Sequence, residues 1–266
     1  MEHGIAGIAV IALRREPSHR SEMVSQLIFG ETFRIAEEYQ DWLHVISEWD
    51  SYEGWISINA FTELSPLDHS GLLGEKPVYS ADPLLPVTLY GSNAVLWLPF
   101  GSRLPFLNPG KRTFHVGTAS YKLPQTCLLS SALTARDTRA SITGTARALL
   151  HAPYLWGGKT SSGTDCSGFV QTLFRVHDIF LPRDAREQVL TGIPVNLTGE
   201  AQPGDVAFFD NNEGEIIHVG IISPSRTIIH ASAMVREDLI DHQGIFNERL
   251  KRYTHRLRLV KDCISK

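Results

Sequence analysis

The chain is short of cysteine, of long apolar runs and of charge excess, and each shortage excludes something. Only three cysteines occur in 266 residues, Cys127, Cys166 and Cys263, too few and too far apart for a disulfide framework. None stands in a Cys-x-x-Cys pair, which argues against a zinc ribbon, and no metal is expected. No apolar stretch approaches the roughly 20 residues that span a bilayer, so no membrane partner is expected. Gly4 to Leu13 is apolar, but it lacks the preceding Lys or Arg of a secretory signal, and Arg14-Arg15-Glu16 follows at once. That segment reads as a first strand, and the chain as cytoplasmic. A net charge of −4, with no basic run interleaved with aromatics, gives no reason to expect nucleic acid.

What is present changes character along the chain. Residues 1 to about 65 carry short strand signals separated by turn residues: Ile5 to Leu13, Gln26 to Phe29, Thr32 to Glu37, Trp42 to Ser47 and Gly54 to Ile58. Five such strands in so short a span predict a small antiparallel barrel. Residues 70 to about 125 repeat the style with prolines between strands, which keeps those strands short or at edges, and predict a second small barrel. From about residue 130 helices come first, over Ser141 to Leu150, Cys166 to His177 and Arg183 to Leu190. Strands then follow at Val206 to Phe209, His218 to Ile222, Thr227 to His230 and Leu257 to Val260. Helices followed by an antiparallel sheet make this part α+β. The expected divisions are 1–67, 68–128 and 129–266.

One segment carries the chemistry. Asp165-Cys166-Ser167-Gly168 follows Tyr154-Leu155-Trp156-Gly157-Gly158 and opens an amphipathic run, with Phe169, Val170, Leu173 and Phe174 on one stripe. A thiol on the first helical turn faces unpaired N–H groups and a partial positive charge, which favour the nucleophilic thiolate. His218 and His230 lie 12 residues apart in apolar runs, with Ser223-Pro224-Ser225 between them. Two strands joined by that turn would set both rings on one face, as a base and its orienter. A lone buried His or Cys is usually structural, but this combination multiplies against coincidence. The remaining histidines, His255 among them, are read as structural or exposed.

Taken with Pro203-Gly204-Asp205-Val206, His218-Val219-Gly220-Ile221 and His230-Ala231, these segments resemble the NlpC-type bacterial cell-wall cysteine peptidases over about residues 139–262. The preceding region is similar to the bacterial SH3-like modules of members acting on murein peptides. The resemblance implies a papain-like α+β domain behind two SH3-like barrels. It implies a triad of Cys166 as nucleophile, His218 as base and His230 as orienter, with the Tyr154 hydroxyl at the oxyanion site. It places Asp165 and Ser167 in the substrate cleft, and it makes Glu16 and Tyr52 candidates for recognising a free N-terminal L-Ala, Glu16 alongside Asp165. Asp165 reads equally as a helix N-cap. The implied activity is cleavage of L-Ala-γ-D-Glu-diamino acid peptides after the D-Glu in cell-wall recycling, with no cofactor. The alternative is an amidase or hydrolase acting on intact cell wall.

Overall fold

The computed structural model describes residues 2–133, 137–196 and 200–265. The chain divides into two compact units, Met1–Ala132 and Leu133–Lys266.

The N-terminal unit begins with β1 (His3–Ile5), β2 (Val10–Arg14), β3 (Met23–Ile28), β4 (Thr32–Tyr39), β5 (Trp42–Ser47), β6 (Glu53–Ser57) and β7 (Thr62–Glu63), joined in one sheet in the order β3-β2-β6-β5-β4-β1-β7. The strand expected over Ile5 to Leu13 is two strands. β1 pairs with β4 and β7, whereas β2 pairs with β3 and β6, so the chain must bend between them. Helix α1 (Pro66–Gly74) was not anticipated, because nine residues show little periodicity. Its start signals were nonetheless present: Ser65 caps Asp68 N–H at 3.0 Å, and proline occupies the first turn. His3 and His69 stack with centroids 3.7 Å apart, and both turn a ring nitrogen to Glu48 Oε1, at 2.8 and 2.7 Å. This cluster ties β1 to α1.

A second sheet follows, with β8 (Leu84–Leu89), β9 (Val95–Pro99), β10 (Thr113–Val116) and β11 (Ala119–Lys122) in the order β10-β11-β8-β9. Its residues Leu85, Val87, Leu98 and Phe114 share a core with Ile5, Phe29 and Leu72. The two sheets are thus distinct in hydrogen bonding but continuous in packing. Helix α2 (Ser130–Leu133) ends this part.

The C-terminal unit opens with α3 (Thr138–Ala148), then β12 (Lys159–Thr160) and β13 (Gly163–Thr164) as a tiny hairpin, α4 (Cys166–Arg175) and α5 (Ala185–Gln188). Strands β14 (Ile193–Val195), β15 (Val206–Asp210), β16 (Ile216–Ser223), β17 (Thr227–Ser232), β18 (Met234–Asp241), β19 (Gly244–Asn247) and β20 (Arg252–Asp262) form an antiparallel sheet. β20 pairs with both β15 and β19, closing β15 to β20 into a six-stranded barrel. Ala207, Phe209, Ile222, Ile228, Ile240 and Ile245 pack together as one of its cores. Strands β18 and β19 escaped sequence reading because Arg236, Glu237, Asp238 and Asp241 make their segment look like loop. Arg139 of α3 anchors the helix to the sheet through Asp205 and Asp262, both at 2.6 Å.

Candidate active site

The Cys166 turn is built by short-range chemistry. Asp165 is the N-cap of α4, its Oδ1 accepting from Gly168 N–H at 2.7 Å, which puts Cys166 at the first helical position. Gly168 is required there: a Cβ would lie 2.2 Å from the Gly158 carbonyl oxygen, so the helix start could not seat against the glycine loop. Tyr154 is held beside this turn, donating its N–H to Ala233 and bridging to Thr164, the residue before the cap. Tyr154 is 36% exposed.

A second layer fixes the turn from behind. Arg183, 1% exposed, meets Asp165 with two nitrogens at 2.6 and 3.0 Å and Ser167 Oγ at 3.0 Å. Gln188 of α5 donates to the Ser167 carbonyl at 3.0 Å and to Pro182 at 2.8 Å. Sequence reading saw only a helix start in Leu181 to Leu190 and missed both anchors. The Asp165 carboxylate therefore accepts five hydrogen bonds, from Gly157, Ser167, Gly168 and twice from Arg183. A carboxylate offers about four lone-pair sites. Its charge is matched within the protein by Arg183, and the helix-capping role read from sequence is the one these contacts describe. Ser167 is buried in the same network. Glu16 and Tyr52 belong to the N-terminal unit. Glu16 is exposed after β2, its N–H on Ser21 Oγ, and Tyr52 is partly buried against the first-sheet core.

The two strand histidines meet as their spacing predicts. Gly220 of β16 lies opposite His230 of β17, and His218 sits two residues from Gly220 on the same face. His218 Nε2 and His230 Nδ1 are 2.8 Å apart. Gly220 makes this diagonal approach possible, since a Cβ there would fall 2.8 Å from His230 Cβ. His230 Nε2 reaches Asp238 Oδ2 at 3.0 Å, and Arg236 grips Asp238 at 2.5 and 2.7 Å. Asp238 was not foreseen.

This chain of contacts fixes the protons. The Arg236 and His230 contacts hold Asp238 below the usual carboxylate range against the cost of burial, so it is ionised and only accepts. His230 then carries its proton on Nε2 and accepts at Nδ1. His218 must donate from Nε2, which leaves a lone pair on Nδ1.

The electrostatics describe a neutral resting pair. Burial, then the Asp165 charge, pushes the Cys166 thiol up to about 12, against the Val219 and Ser167 backbone amides and Arg183. The Val219 amide sets the sulfur beside the backbone of His218. Burial, then His255 and His230, drives His218 well below the ordinary imidazole value. Burial and the Asp165 charge thus outweigh the pull of the helix N-terminus toward a thiolate. Tyr154 is raised to about 12, first by burial and then by the charges of Cys166 and Asp165, so it is a hydrogen-bond donor.

His255, read from sequence as structural or exposed, stacks on His218 at 4.1 Å and 24°. Its signal was weak because it lies on β20, far from the other two in the chain.

Residues 151–255 match the NlpC/P60 family, and residues 13–61 match the bacterial dipeptidyl-peptidase Sh3 domain. The chain is similar to a gamma-D-glutamyl-L-lysine dipeptidyl-peptidase of Bacillus subtilis, 28% identical over 221 residues, covering 78% of this chain and 71% of that protein. It is also similar to a protein of the same name from Bacillus cereus, 24% identical over 231 residues, covering 80% and 68%. The crystal structure of an NlpC/P60 family protein from Bacillus cereus shares the fold, with a TM-score of 0.84 at 17% identity over 99% of this chain and 100% of that one.

Proposed function

From the premise that this chain carries an NlpC/P60 cysteine peptidase domain preceded by a bacterial SH3 domain, we propose that it cleaves the bond between γ-D-Glu and a diamino acid, diaminopimelate or Lys, in murein peptides. The observation that carries this reading is the hydrogen-bonded run Asp238–His230–His218, which leaves a lone pair on His218 Nδ1, together with the backbone amide of the next residue, Val219, on the Cys166 sulfur.

In this reading Cys166 Sγ gives its proton to His218 Nδ1 and attacks the γ-carbonyl carbon of D-Glu. The carbonyl oxygen becomes an oxyanion held by the Cys166 N–H and the Tyr154 hydroxyl, each donor contributing about 3 kcal/mol when well placed. The intermediate collapses, the C–N bond breaks, and the His218 imidazolium protonates the departing amine. Water, deprotonated by His218, then attacks the thioester, releasing the γ-carboxylate and restoring the thiol. His230, held by Asp238, orients the base and stabilises its charged form.

The resemblance alone assigns recognition of a free N-terminal L-Ala to Glu16 and Tyr52, and reads the C-terminal unit as papain-like and residues 68–128 as a second SH3-like module. The same reading places the enzyme in the cytoplasm, in recycling of released peptides. Three free thiols are in keeping with a reducing compartment.

Mass spectrometry of products from free tri- and tetrapeptides, run beside intact sacculi, tests the proposal. Release of L-Ala-D-Glu from free peptides, with little turnover of N-acetylated peptides or sacculi, is expected. Equal cleavage of free and acetylated peptides would overturn the amine requirement. Preferential attack on sacculi would favour the wall-hydrolase alternative.

A further inference from the structure

We propose that His255 is a positioning residue for His218, a neutral flat ring that fixes the plane of the base and keeps water from its face. The proposal rests on the functional reading of His218 above, and the geometry that supports it is independent of substrate. His218 packs against two rings that also touch each other: His255 stacked at 4.1 Å and 24°, and Phe209 tilted at 5.7 Å and 47°, with Phe209 edge-on to His255 at 6.0 Å. Its Nε2 is tied to His230. Beside this stack opens a cavity of about 340 Å³ lined by Phe209, Ile217, Tyr253, His255 and Arg256 among others. His255 lines that cavity and His218 does not, so His255 is the screen between base and open space.

A screen of this kind must stay uncharged, because a cation stacked on the base would oppose formation of the imidazolium. Burial, with a contribution from His230, lowers His255 to about 4, against a smaller pull from Asp238. It is therefore neutral across the working range of a cysteine hydrolase. Its Nδ1 lies 3.0 Å from Thr254 Oγ1, which helps set the ring. The ionisable groups acting on the stack are His230 from β17 and Asp238 from β18, with Arg236 paired to Asp238.

The test compares His255→Ala with His255→Phe, reading both peptide hydrolysis and alkylation of Cys166 by iodoacetamide, the latter followed on the Cys166 peptide by mass spectrometry. Alkylation needs no substrate, so it stands even if the proposed peptide is wrong. Without the stack, His218 gains water and its imidazolium becomes easier to form, which favours a thiolate partner. His255→Ala should lose about tenfold or more in kcat with KM little changed, as a displaced base predicts. It should also alkylate several-fold faster at pH 6, a gain that simple damage to the fold would not produce. His255→Phe should restore native behaviour in both assays to within about threefold, since it keeps the flat cover. Native rates and pH profiles in His255→Ala would overturn the proposal. So would a His255→Phe variant that folds yet loses activity as fully as His255→Ala. If His255→Ala does not fold, the His255→Phe profiles decide alone.

Discussion

Asp165 and Arg183 form a buried two-pronged ion pair at 2.6 and 3.0 Å directly beneath the first turn of the Cys166 helix. Neither charge is left facing the solvent, and Ser167 joins the same guanidinium. The backbone at Cys166, the proposed nucleophile, is therefore fixed by an electrostatic anchor drawn from a segment 18 residues further along the chain from Asp165.

Breaking that anchor should cost far more than a surface pair would. Arg183→Met leaves a buried carboxylate without its countercharge, an expected loss of about 3–5 kcal/mol by denaturant unfolding. Adding Asp165→Asn keeps a capping side chain and removes the orphaned charge, so the double variant should recover part of the loss. Native stability in Arg183→Met would show that the pair carries no such strain.

Substitutions along the catalytic line should fall in a defined order. Cys166→Ala should leave the fold intact and abolish hydrolysis, and His218→Ala should come close to it, with a loss of at least about 10³-fold in kcat. His230→Ala should hurt less. Tyr154→Phe should lower kcat by about 10²–10³-fold with KM nearly unchanged, as removal of an oxyanion donor does. Asp238→Asn should cost about 10²-fold, because an amide can donate to His230 Nε2 and reverse the proton order. Steady-state kinetics on one tripeptide check the whole series, and equal effects at His218 and His230 would erase the division between base and orienter.

Acid should destabilise the C-terminal unit before its carboxylates titrate. His177, His218, His230 and His255 are all depressed below the ordinary imidazole value, burial being the leading cause in each. The unfolded chain therefore binds more protons, so stability is fully present above about pH 6.5 and is lost as pH falls. For His255 the window runs down to about 4, and each fully depressed group contributes a slope of about 1.4 kcal/mol per pH unit within its window. Thermal melts from pH 7.5 to 4.5 should show a steadily falling Tm, shallower in His255→Phe. A flat Tm over that range would contradict the buried neutral histidines.

Some of this was legible before any fold was known. The glycine loop, the capping Asp165 and the apolar stripe of α4 are local patterns, and local patterns survive translation into structure. His218 and His230 also met as expected, because two strands and one short turn leave few arrangements. Asp238 was hidden in a segment whose charges imitate a loop, and only the β17–β18 register turns it inward beside His230. Arg183 looked like the start of a helix.

By itself, the sequence singled out the candidate groups: one thiol on a helix start, two imidazoles on paired strands and a tyrosine before the glycine loop. Tertiary structure decided what state those groups are in. It matched Asp165 to Arg183, fixed the proton order from Asp238 through His230 to His218, and laid His255 over the base. Protonation and orientation depend on burial and on partners brought in from distant strands, and no local pattern encodes those distances.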